Sequence, residues 1–234
     1  MLFKRGGIAM VLAAAFMFAG SAKADDVVTL TGIEGGSVGN VATSPYYATI
    51  TDLNTSITTT GVPIICDDFL HNVYIGETWT ATVNTFANPT ALRFSQGTSA
   101  AQQAATIQLY DEAAFLTDAY ILNPGATETQ REDASFAVWA IFAPVSSILA
   151  EDPAAASLFG TTGGAQVMLT AAQGMTFAPG AYADYEVLTP SNPTSPQEYL
   201  VRTPEPSTLL LLCAGLAGLM LLARRRAFAC ASQV

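Results

Sequence analysis

The residues with the clearest chemical potential lie in the first third of the chain. Gly35-Gly36-Ser37-Val38-Gly39 spells Gly-x-Ser-x-Gly, the string in which a serine on a sharp strand-to-helix turn becomes a nucleophile. Its general base would be His71, the single histidine of the chain, giving an envelope serine hydrolase. The context disagrees: Asn40 to Pro45 come next and lead into another strand-like run, so glycines at a hairpin explain the string more simply. Asp67, Asp68 and His71 gather oxygen and nitrogen donors, yet one histidine and two adjacent carboxylates lack zinc or facial-triad spacing. Asp52-x-Asn54-x-Ser56 begins like a calcium loop but has neither the glycine at its sixth position nor the glutamate at its twelfth. No cofactor and no defined metal site are expected. Tyr46, Tyr47, Trp79 and Tyr182 are candidates for stacking on sugars, although aromatic residues in strands more often belong to a core.

The elements that must position these residues change character near residue 99. Alternating or β-branched stretches at 27–33, 46–53, 62–66 and 72–86, the last with a turn at Gly76-Glu77, predict a meander of strands. Residues 102–122 then carry Leu109, Ala113, Leu116 and Tyr120 at helical spacing. Asn123-Pro124-Gly125 separates this helix from a second one, which opens with a capping box of Thr127 and Gln130. Its apolar face is Phe136, Trp139, Ala140 and Ala143, and Pro144 stops it. Helical segments at 154–159 and 165–173 and extended segments at 182–188 and 198–202 complete the body. Strands, helices and strands again predict an α+β fold: one exported domain, an antiparallel sheet or sandwich in which the late strands return to the early sheet around an inserted helical region, followed by a C-terminal transmembrane helix.

Charge and cysteines divide by region. Residues 25–203 hold Arg93, Arg131 and Arg202 against eighteen acidic residues, a net charge near −15. Such a field repels phosphate backbones and excludes nucleic acid as a partner. Cys66 is the only cysteine of this stretch, Cys213 and Cys230 lying beyond it, so no disulfide can staple the body. By residue type, Cys66 is a small buried hydrophobe.

Both ends of the chain are apolar, for different reasons. Lys4 and Arg5 precede a twelve-residue apolar stretch, 8–19, and Ala22-Lys23-Ala24 comes after it: a secretory signal peptide over 1–24 with its cleavage site marked by Ala22 and Ala24, to be cut by signal peptidase. Near the other end, residues 209–223 are uncharged and followed by Arg224, Arg225 and Arg226. Fifteen helical residues reach about 22 Å, short of the ~30 Å hydrocarbon core, so the span 208–223 needs local thinning. The arginines hold their end in the cytoplasm and place the body outside it, leaving 227–234 as a cytoplasmic tail. Residues 190–203 read as a Pro-rich stalk between body and span, bounding the body at 25–189.

Pro204-Glu205-Pro206, the Leu-rich span and the arginine cluster together resemble the PEP-CTERM sorting signal, over residues 204–226. The resemblance implies a Gram-negative envelope, transient retention in the inner membrane, and processing by an exosortase near the Pro-Glu-Pro motif before delivery to the cell surface or extracellular matrix. Extracellular polysaccharide or other surface components are the partners this address suggests. Within the body, "PIICDDFLHNVYIGETWT" and "REDASFAVWAIF" resemble a bacterial thioester domain, in which an early-strand cysteine is cross-linked to a glutamine four residues before a helical tryptophan. That resemblance would make Cys66 the thiol of a covalent adhesin. The matching position, however, is Ser135, which offers no carboxamide, so the likeness implies the fold without its bond.

Overall fold

The computed structural model describes residues 24–203 except 193 and 195. Eight strands form in chain order: β1 (Ala24–Ile33), β2 (Ser37–Val38), β3 (Val41–Ala42), β4 (Tyr46–Asp52), β5 (Thr58–Cys66), β6 (Thr78–Thr85), β7 (Tyr185–Pro190) and β8 (Tyr199–Arg202). Six of them close into an antiparallel barrel in the order β1-β4-β5-β8-β7-β6, and β6 returns to β1 through pairs such as Val28 with Trp79. The expected sheet or sandwich is thus a barrel. Closure comes from the late strands: β5 and β6 are consecutive in the sheet's early half but do not pair, and β8 and β7 fill the gap between them. Every edge is thereby hydrogen-bonded, which removes the exposed strand edges that invite association.

Period-two burial identifies the inward face. Along β1, Val28 and Leu30 are buried while Val27 and Thr29 are half-exposed, and along β6 Trp79 and Ala81 are buried while Thr78 and Thr80 are exposed. Residues 72–77, expected to begin a strand, form a loop instead; β6 starts only at Thr78. A threonine-rich run over 55–60 ends in the exposed first residues of β5. Residues 190–203, expected as a stalk, include β8, whose Tyr199 and Leu200 are fully buried, so the folded body extends to Arg202.

Between β6 and β7 the chain inserts four helices: α1 (Ala100–Leu116), α2 (Glu128–Phe142), α3 (Val145–Glu151) and α4 (Gly164–Gln173). Capping boxes open α1, at Ser99 and Gln102, and α2, at Thr127 and Gln130, each satisfying backbone N–H groups that the helix leaves unpaired. α1 runs on into a wider π-type turn over Thr117–Ile121. Pro144, lacking an N–H, ends α2 and begins α3. The expected one-sided face of α2 is too narrow a description, because every residue from Asp133 to Trp139 is buried. α2 is the central helix, and its aromatic residues knit the layers: Phe136 lies 4.8 Å from Trp139, Phe69 5.0 Å from Trp139, and Phe142 4.9 Å from Tyr110, centroid to centroid. Replacing Phe136 by alanine would cost about 3–5 kcal/mol. Among the described residues no helix is long and apolar enough to cross a membrane, and the expected span 208–223 lies outside them.

Candidate functional site

Cys66 ends β5 facing α2, where strand and helix are joined by a serine on neither. The Cys66 N–H donates to Ser44 Oγ at 3.2 Å, and the Ser44 N–H donates to Ser135 Oγ at 3.1 Å. Ser135 in turn donates to the Arg131 carbonyl one turn earlier, at 2.8 Å. Positions 66 and 135 are therefore neighbours, bridged by Ser44, and the Ser135 hydroxyl is fully engaged. The Cys66 thiol is completely buried and donates to the Asp68 carbonyl at 3.4 Å. Burial first, then Asp67 and Asp68, push its pKa well up, while the Trp139 indole works in the opposite direction without making a hydrogen bond of normal geometry. A thiol held in this state is a poor nucleophile. Gln130 is committed to the α2 capping box.

Beyond Cys66 lies a sealed group of carboxylates. Asp68 pairs with Arg93 Nη1 and accepts from His71 Nδ1 at 3.0 Å. Glu198, at the entry to β8, accepts from Tyr110 OH and from the Arg93 backbone N–H, the latter at 3.1 Å. Asp67 is fully buried with no partner for either carboxyl oxygen, and burial followed by Glu198 and Asp68 raises its pKa well above the ordinary value, favouring the neutral acid. Burial also raises Glu198. Arg93 holds the loop after β6, the end of β5 and the entry to β8 together, since Nη1 also donates to the Pro196 carbonyl at 3.0 Å. Sequence reading found Asp67, Asp68 and His71 but missed Arg93, Glu198, Tyr110 and Ser44. The available signal was Arg93, one of only three basic residues in an exported body with eighteen acids. No cluster of three or more metal-ligating side chains occurs among the described residues.

The other sequence candidates resolve into local structure. Gly35 to Gly39 forms the approach and turn of a β2–β3 hairpin: a Cβ on Gly35 would lie 1.9 Å from the Thr43 carbonyl oxygen, and Gly39 has φ +57°. Ser37 is exposed, begins β2 and is followed by β3, not by the helix a nucleophile elbow requires. Gly36 approaches the Glu128 and Glu132 side chains near the start of α2, whereas Phe69, two residues before His71, packs on Trp139 toward its end. No hydrogen bond joins Ser37 to His71 among the described residues; His71 is directed to Asp68. The calcium-like string is the β4–β5 turn, in which Asp52 Oδ1 accepts from the N–H groups of Asn54 (2.7 Å) and Thr55 (3.1 Å). Those bonds, that to Thr55 first, lower the Asp52 pKa. Of the aromatic candidates, Tyr46 and Trp79 are buried and pack on Tyr199, while Tyr47 and Tyr182 are half-exposed.

The ends of the chain are informative in a different way. Ala24 pairs with Val83 at the start of β1, while Ala22 lies outside the described residues. Pro204, Glu205, Pro206, Arg224, Arg225 and Arg226 lie outside them too. At the other border, Arg202 binds Asp184 at 2.9 Å and Asp118 at 3.2 Å, and the Thr203 N–H donates to the Asp184 carbonyl at 2.8 Å, tying the last strand down. No curated protein and no solved structure matches the chain. Residues 202–226 match the model of the PEP-CTERM protein-sorting motif, which implies an exported, membrane-processed protein. The chain thus carries a PEP-CTERM sorting motif that begins where its barrel ends.

Proposed function

We propose that this protein is a non-enzymatic exosortase substrate, held briefly in the inner membrane and delivered to the cell surface or extracellular matrix, where its acidic body associates with polysaccharide or other surface components. One observation carries the reading: β8 closes the barrel at Arg202, and the Pro-Glu-Pro motif starts two residues later at Pro204. Processing at that motif would release a body with all six barrel strands intact. Pro204 and Pro206 flank Glu205 with residues that lack the backbone N–H a helix would use, a composition suited to recognition by a protease. A non-enzymatic role is supported by the state of the two candidate nucleophiles, an exposed hairpin Ser37 without a base and a buried Cys66 thiol kept protonated.

The test is fractionation of cells with and without exosortase, expressing either the native chain or Pro204→Ala/Glu205→Ala/Pro206→Ala. The native protein should appear as a shortened form in the surface polysaccharide fraction of cells that have exosortase. The triple variant, and the native chain without exosortase, should remain longer and in the inner membrane. Equal size and location in all cases would defeat the sorting reading, and a processed form found free in the medium would defeat the surface association.

A further inference from the structure

A second region of the body carries a site that owes nothing to the sorting motif. A cavity of about 510 Å³ opens between α1 and the segment joining α4 to β7. This is within the size range of small-molecule sites, about 300–1,000 Å³. α1 supplies Ala104, Ile107, Gln108 and Asp111, whose three- and four-residue spacing puts them on one face. The opposite wall is aromatic: Phe177 and Tyr182 stand edge to face at 5.6 Å, and Phe86 closes the back.

Asp111 is the anomaly of this cavity. It lines the wall, is only 5% exposed, and makes no hydrogen bond or ion pair among the described residues. Its neighbour Glu112, equally buried, does have a partner, accepting from Gln108 Nε2 at 2.9 Å. The charges around the cavity are of one sign, with Asp118 and Asp184 joining Asp111 near Tyr182. The nearby cation, Arg202, is occupied by Asp118 and Asp184. Residues 25–203 contain no lysine, so no side chain of the body can furnish an ammonium.

We propose that this cavity binds a small organic cation, an ammonium group on a flat or aliphatic apolar body, with Asp111 as its counter-ion and Phe177 and Tyr182 as its walls. The ammonium supplies the charge and the N–H donors that the buried carboxylate lacks, and aromatic faces attract the same charge. The apolar body fills the space beside Ile107 and Phe86. Burial, with Glu112 adding to it, raises the Asp111 pKa to about 6, so the group is largely ionised at neutral pH and available for such a partner.

Isothermal titration of the full chain in zwitterionic-lipid nanodiscs, corrected with empty nanodiscs, tests the site with phenethylammonium chloride and its neutral counterpart 2-phenylethanol at pH 7.5. The wild type should bind the ammonium at least about tenfold more tightly than the alcohol. Asp111→Asn, nearly isosteric, should remove that preference. Ala104→Trp, which fills the mouth and leaves the carboxylate in place, should abolish binding of both; thermal melts of both variants verify that the fold survives. Absence of ammonium binding, equal affinity for the two probes, or an undiminished preference in folded Asp111→Asn would each overturn the proposal.

Discussion

Two groups of buried acids in this body contrast sharply. Around Arg93, the carboxylates of Asp68 and Glu198 are closed in by a guanidinium, a tyrosine hydroxyl and a backbone N–H, in the angle where β5, the loop after β6 and the entry to β8 meet. Around Tyr182, Asp111 is also buried, yet it lines an open cavity and has no partner among the described residues. The first arrangement binds distant parts of the chain to each other. The second leaves a charge that no described residue satisfies. Similar residues in similar burial thus serve cohesion in one place and recognition in the other, and the presence of a cation makes the difference.

Loss of Arg93 should erase this contrast most completely. Arg93→Met should destabilise the body by about 3–5 kcal/mol, because it leaves buried carboxylates without their counter-charge. Urea denaturation reads the loss as a lower midpoint, and an unchanged midpoint would mean that the cluster contributes nothing to cohesion. A smaller loss is expected for Tyr110→Phe, about 1–2 kcal/mol, since one donor to Glu198 disappears while the ring still packs on Phe86 and Phe142.

On the open side the sign reverses. A carboxyl whose folded pKa is raised holds its proton more tightly when folded, so the fold is favoured at low pH and loses that advantage as the pH rises from the unfolded value toward the folded one. For Asp111 the window runs from its ordinary value of 3.8 to about 6. Asp26, Asp67, Glu112, Asp133, Glu186 and Glu198 are shifted in the same direction, each with burial as the main cause. Thermal melts should therefore show a body more stable at pH 5 than at pH 7. Asp111→Asn should gain about 1 kcal/mol at pH 7 and flatten part of this dependence, as an amide costs less to bury than a carboxylate. A melting temperature that falls on acidification from pH 7 to pH 5 would contradict these shifts.

The smallest expected effect is none at all. If Cys66 carried an internal thioester, loss of ammonia would lower the intact mass by about 17 Da. With Ser135 bonded to Ser44 and Arg131, the mass should show no deficit, and one body thiol should react only after denaturation. A deficit abolished by Cys66→Ala would make the region a covalent site instead of a sealed one.

Much of this was legible in the residue order because it is local. The two helices flanking Asn123-Pro124-Gly125, the capping box at Thr127, the stop at Pro144 and most strands depend on side-chain periodicity, backbone donors and φ restrictions within a few residues. The sorting motif was legible for the same reason, being a contiguous string. That the late strands return to the early sheet was legible from the order of elements, but closure into a barrel was not, because no local pattern specifies which strands more than a hundred residues apart become partners. Nor was Ser44 foreseeable as the bridge between Cys66 and Ser135, or Arg93 as the clasp of Asp68 and Glu198. Local chemistry named the elements and the address. Only the tertiary structure decided which acids acquired a cation and which was left facing a cavity, because pairing depends on distance through space, and the fold alone sets that distance.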